Sequence, residues 1–174
     1  TVKVLVAASM AAALLAGCGS KTDTDTFRFA SELDIQGMDS TVVDDGMSFN
    51  AVHAITDGLT AVNEKGKTAP AIAKSWDVSD DGKTYTFHLR DAKWSNGDKV
   101  TANDFVYSWR KIIKNAGNYA YMLGSEGASV KNADALMELG TNATDEQMAT
   151  LGVTAKDDKT LVVELENKVP YFTD

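Results

Sequence analysis

The stretch AKSWDVSDDGKTYTFHLRDAKWSNGDKVTANDFVYSWRK, Ala73 to Lys111, decides the fold because both structural periodicities appear in it side by side. Ser79-Asp80-Asp81-Gly82 supplies turn chemistry. After it, Tyr85, Phe87 and Leu89 alternate with Thr84, Thr86, His88 and Arg90, which is the period-two pattern of a half-buried strand. Trp76 to Arg90 therefore reads as a β-hairpin. From Thr101 the period changes. Phe105, Val106, Trp109, Ile112 and Ile113 share one helical face, and Asp104 stands three residues after the capping Thr101. Arg110, Lys111 and Lys114 suit the negative end of the helix dipole, and Gly117 is expected to end the helix.

Reading outward, a short helix is expected at Ala71 to Lys74, before Trp76. A second hairpin is expected near the C-terminus: Val153 to Lys156, the turn Asp157-Asp158-Lys159, then Thr160 to Glu166. The turn chemistry shared with the first hairpin reads as recurrence rather than as an internal repeat. Thr144, with Glu146 and Gln147 behind it, predicts a helix over Ala143 to Leu151. Upstream, Phe27 to Ala30 alternates like a strand and Glu32 to Gly46 reads as a polar loop. Ser48 to Leu59 reads as a helix on the spacing of Val52, Ile55 and Leu59. Strands and helices mixed without regular β-α-β alternation predict the α/β class in its mixed α+β form, with an antiparallel sheet.

Composition excludes several functions. The formal charge is −8, and no basic stripe interrupts it, so a nucleic-acid surface is not expected. With two histidines far apart and one cysteine, the chain lacks the close-spaced ligands of a zinc site. Asp77-x-Ser79-x-Asp81-Gly82 begins like a calcium loop, but His88 stands where the bidentate carboxylate belongs. No nucleophile elbow, zinc-binding helix or phosphate loop occurs. The aspartate pairs 44/45, 80/81 and 157/158 read as solvated turns. Neither an enzyme nor a cofactor is expected.

The N-terminus reads as an export signal. Val4 to Ala16 is apolar but too short to span a bilayer, follows Lys3, and ends in small residues. The natural start is expected upstream of Thr1. Leu15-Ala16-Gly17-Cys18 resembles the bacterial lipobox, in which the thiol is lipidated and the chain is cut before the cysteine. Residues 1–17 are thus expected to be a signal peptide, and Cys18 the point of lipid attachment to the bacterial cell membrane on its extracytoplasmic side, the outer face in a Gram-positive cell or the periplasmic side otherwise. Residues 18–26, without large apolar side chains, are expected to be a flexible tether.

The pieces SW, S-x-D-G-x-x-Y-T-F-x-L-R, W-S-x-G and T-A-x-D-F-V-Y-S-W stand between Ser75 and Trp109, and Val169-Pro170-Tyr171-Phe172 follows later. Together they resemble the extracellular solute-binding proteins of the peptide-transport class (family 5), the oligopeptide branch above all. The resemblance implies two hinged lobes of the periplasmic-binding-protein class II type plus an extra small lobe, of which this chain is an incomplete, N-terminal portion. Residues 27–56 would begin the first lobe and residues 57–174 would make most of the extra one. It also implies capture of extracytoplasmic short peptides and their delivery to an ABC permease and its ATPase, by a monomer held at the membrane. By the same resemblance Asp45, Gly46 and Met47 form a loop lining the peptide cleft, with Asp44 flanking it, and Tyr119 reaches the ligand, with Tyr121 as its rival. Two bland readings stay open: Asp45-Gly46 as a plain turn, and Tyr119 as a packing residue. Trp76, Trp94 and Trp109 read as core. Rival cargoes on the same fold are a pheromone peptide, a nickel chelate or a glycan; a rival role is a surface adhesin or chaperone without a transporter.

Overall fold

The hairpin at the centre of the sequence is also the centre of the sheet. The computed structural model describes residues 30–31 and 33–173, and residues 33–174 group as one unit. The expected signal, tether and Cys18 lie outside the described residues, as does Phe27 to Phe29 of the expected first strand; Ala30 has no regular structure. Chain order runs α1 (Gly46–Ile55), β1 (Thr60–Val62), β2 (Thr68–Pro70), β3 (Ala73–Val78), β4 (Thr84–Leu89), α2 (Ala102–Asn115), α3 (Ala133–Leu139), α4 (Asp145–Met148), β5 (Val153–Asp157) and β6 (Thr160–Glu164). Short 3₁₀ turns occupy Ala120–Leu123 and Gly140–Asn142.

The main sheet is antiparallel in the order β3-β4-β6-β5, and β1 pairs with β2 in a separate ribbon. Register explains the alternation in the sequence. Trp76 lies opposite Phe87, Phe87 opposite Leu161, and Leu161 opposite Ala155, so one row of apolar side chains crosses all four strands. The next row on that face is Val78, Tyr85, Val163 and Val153. Between them a mostly polar row runs from Asp77 through Thr86 and the one apolar member, Val162, to Thr154 on the opposite face. On the same polar face the His88 ring sits 2.8 Å from the Asp77 carboxylate. The β3–β4 turn needs Gly82 at φ +70°, and a side chain there would strike Lys168. Ser79 Oγ and the Lys83 amide both donate to Asp81 Oδ1, so that one oxygen closes the turn.

The apolar face packs on α2. Val106 and Ile113 are buried, Phe105 and Trp109 pack against the same cluster, and Phe87 and Leu161 lie beneath them. Asp104 reaches back to accept from the Thr101 amide at 2.7 Å and its hydroxyl at 3.1 Å, in the capping-box arrangement that the spacing predicts.

Several expectations are corrected. The segment Ala71 to Lys74 is not helical; β3 starts at Ala73, whose side chain is buried, because the partner β4 is waiting for it. The predicted 48–59 helix begins earlier and ends at Ile55, after which Leu59 turns to the β3 backbone: its carbonyl accepts from the Ala71 and Ala73 amides. The predicted 143–151 helix shrinks to α4, and α3 was not foreseen. The left-handed residue ending α2 is Ala116 (φ 44°), not Gly117. Trp94 is not core: it is 47% exposed at a tight turn in which its own amide donates to the Asp98 carbonyl.

Candidate functional site

The N-terminal end of α1 is built by two short polar side chains. Asp45, in extended backbone (φ −110°, ψ 149°), caps the helix by accepting the Ser48 amide at 2.8 Å. Ser48 is buried, and its Oγ accepts from the amides of Gln36 at 3.0 Å and Gly37 at 3.2 Å, which straps the preceding loop to the helix. Hydrogen bonds from Ser48, hydroxyl first and amide second, hold the Asp45 carboxyl below its ordinary value, so it is charged at neutral pH. Asp45 is therefore a cap, and Gly46 and Met47 form the first helical turn rather than a loop. Gly46 is exposed, with open space where a side chain would stand.

The same loop is pinned to the far end of α2. Asp39 accepts from the Lys111 ammonium at 2.5 Å and from the Thr41 amide and hydroxyl at 3.0 and 2.6 Å. The Lys111 hydrogen bond, then those from Thr41, lower its pKa to about 2. Gly117 passes so close to the Thr41 carbonyl that an added side-chain carbon would sit 3.2 Å from it. One residue on, Asn118 Nδ2 donates to Asp44 Oδ2 at 2.5 Å.

These contacts bring Tyr119 to α1. Its ring meets Phe49 edge to face, with centroids 5.1 Å apart, and Tyr121 follows at 6.4 Å. Phe49 in turn lies 6.5 Å from the His53 ring. Asp44 is thus brought to Asn118, and Phe49 of α1 to Tyr119, although some seventy residues separate the two segments (Asn118 and Asp44 are 74 apart). Tyr119 and Tyr121 are 40% and 48% exposed, so neither is spent on the core. Sequence reasoning missed Phe49, Asn118 and Asp39. Phe49 alone left a signal, an aromatic three residues before Val52 and so in step with the apolar spacing of the helix.

A recess of about 180 Å³ opens beside Tyr119, walled by Val42, Val43, Ile112 and Met122, with Asn118 at its edge. A larger hollow of about 570 Å³ lies along α2 and α4 and holds none of the predicted ligand residues. Among the described residues no cluster of metal-ligating side chains occurs.

The chain can now be placed among known proteins. Residues 67–174 match the bacterial extracellular solute-binding proteins, family 5 middle. The chain belongs to this family. Within family 5 it is 41% identical over 163 residues to a dipeptide-binding protein of Lactococcus lactis, covering 91% of this chain and 28% of that protein. The substrate-binding domain of an oligopeptide ABC transporter from Bacillus anthracis superposes with a TM-score of 0.75 at 38% identity, over 83% of this chain and 27% of that one. The oligopeptide-binding protein OppA of Haemophilus influenzae, solved with the peptide RPPGFSPFR, superposes at 0.70 with 40% identity, over 79% of this chain and 26% of the other. The mixed α/β fold is accordingly part of a periplasmic-binding-protein-like fold, and the chain spans little more than a quarter of the relatives it matches.

Proposed function

We propose that this chain is a portion of the substrate-binding component of an ABC importer, one that captures extracytoplasmic oligopeptides and hands them to the permease. The observation that carries the reading is the convergence of the N-terminal half of α1 with Tyr119 through Phe49, at a helix end whose Gly46 is exposed and next to rings that are themselves partly exposed. Family membership and the dipeptide- and oligopeptide-binding relatives support it. Exposed backbone and roomy, hydrated surroundings suit peptides held by their main chain, with side chains loosely selected. The role is binding, without catalysis. In this reading residues 57–174 make most of the extra lobe, Cys18 carries the lipid, and residues 18–26 keep the protein beside its permease; two or more acyl chains would make that attachment stable.

A second reading has one observation in its favour: a probable deoxycholate-binding periplasmic protein of Escherichia coli is 36% identical over 150 residues. In that reading the cargo is a steroid-like amphipathic solute rather than a peptide. Purifying the full-length protein without its anchor and identifying co-purifying ligands by mass spectrometry separates the two. A mixture of short peptides supports the first; a single steroid-like compound, metal chelate or sugar overturns it.

A further inference from the structure

We propose that the hollow along α2 and α4 binds a small organic anion, its oxyanion head held by Arg110 and Lys114. None of the residues that line it is among those assigned to peptide capture, and the proposal goes beyond that reading. Three observations carry it.

Arg110 is the first. Its Nε is shut off from solvent and has no hydrogen-bond partner. Among the described residues no carboxylate pairs with its guanidinium: Asp39 takes Lys111, and Asp145 takes Lys114. A buried charged donor without an acceptor is destabilising, and an arriving oxyanion supplies the acceptor. The planar guanidinium meets a carboxylate or a phosphate through two parallel N–H groups, which fixes the head in place.

The second is the placement of charge. Arg110 and Lys114 stand one turn apart on α2, a like-charged pair that by itself weakens a helix. The helix dipole acts within the last turn, so it favours Lys114 and fades before Arg110. Folding therefore leaves a cationic spot in a chain whose formal charge is −8. The carboxylate already there competes weakly. Asp145 has a side chain 96% exposed and stands 3.5 Å from Lys114, so an anion seated between the two cations displaces little.

Shape is the third. The hollow, about 570 Å³, falls in the size range of small-molecule sites. Buried Val106 and Met148 give it an apolar lining, and Tyr107, 68% exposed, adds an open ring. A bare inorganic ion would leave that lining wet, whereas an anion with an aromatic or hydrocarbon body covers it.

The test titrates phenyl phosphate, inorganic phosphate and phenol separately against the full-length protein, followed by ligand-observed NMR at low ionic strength. Phenyl phosphate is expected to bind about tenfold more tightly than inorganic phosphate, through burial of its ring. Phenol, which lacks the charge, is expected to bind about tenfold more weakly than phenyl phosphate. Arg110→Gln is expected to weaken phenyl phosphate about tenfold, and Lys114→Gln about threefold, with thermal melting reporting whether each variant is folded. No binding of phenyl phosphate below ~10 mM overturns the site, and so does phenol binding equally well. If inorganic phosphate binds as tightly as phenyl phosphate, the apolar lining plays no part and the proposal fails. Unchanged affinity in folded Arg110→Gln overturns it too; should that variant not fold, unchanged affinity in Lys114→Gln does the same. None of these outcomes bears on the peptide reading, which stands or falls on the co-purified ligands.

Discussion

Ala116 is the one residue whose backbone contradicts its chemistry most plainly. It ends α2 at φ 44°, ψ 44°, a conformation that glycine adopts freely and alanine does not. The glycine is one place further on, where the Thr41 carbonyl passes close enough to crowd a side chain. Ala116→Gly is therefore expected to stabilise the protein by about 1 kcal/mol, read as an upward shift of the urea midpoint; an unchanged or lower midpoint would contradict the strain. Asp39 offers a pH test. Its carboxyl is depressed to about 2 by Lys111 and Thr41, so its contribution is complete above the ordinary carboxylate value, near 4, and is lost as the pH falls through 2. Both partners are partly exposed, so solvent screening limits the effect of Asp39→Asn to about 1 kcal/mol or less at pH 7. Denaturation curves of the variant and the parent should converge between pH 4 and 2, and a gap that persists at pH 2 would show that the ion pair is not its source.

At the scale of elements, α2 on the four-stranded sheet holds the unit together. Ile113 is fully buried between them, and Ile113→Ala is expected to cost about 2–5 kcal/mol. That is a large part of the roughly 5–15 kcal/mol available to a domain. A cost below 1 kcal/mol in equilibrium denaturation would mean that this face is not the core. Elements with a strong, uninterrupted period were legible: β4 and α2 lie where alternation and the i, i+3, i+4 spacing put them, and the hairpin turns were marked by Asp-Asp-Gly-Lys in the first and Asp-Asp-Lys in the second. Elements whose partners lie elsewhere in the chain were not. Ala71 to Lys74 is short and helix-compatible, yet Ala73 pairs opposite Leu89, and the ladder overrides local propensity. The ribbon of β1 and β2 has three-residue strands, too short for any period to declare itself.

For the whole molecule, the chain spans little more than a quarter of its relatives, and peptide binding in the proposed reading needs a surface opposite this one. Residues 19 to 174 alone are thus expected to bind peptides far more weakly than the full-length protein, and micromolar or tighter affinity in calorimetry would overturn that expectation. The candidate site divides the same way. That Asp45 caps the helix was not read from the sequence: the spacing started the helix at Ser48, with Ser48 or Asn50 as its cap, and the resemblance suggested a loop at Asp45. That Tyr119 belongs beside it was suggested by resemblance and by no local pattern. What the sequence determined by itself is whatever depends on neighbours a few residues away: turns, caps, the period of β4 and the apolar face of α2. Only the tertiary structure decided which aromatics are core and which face outward. Trp109 and Trp94 are alike in the sequence, and one packs on the sheet while the other stands exposed on a turn. It also joined Asp44 to Asn118 and Phe49 to Tyr119, because contacts across seventy residues are set by packing and register, which no local periodicity encodes.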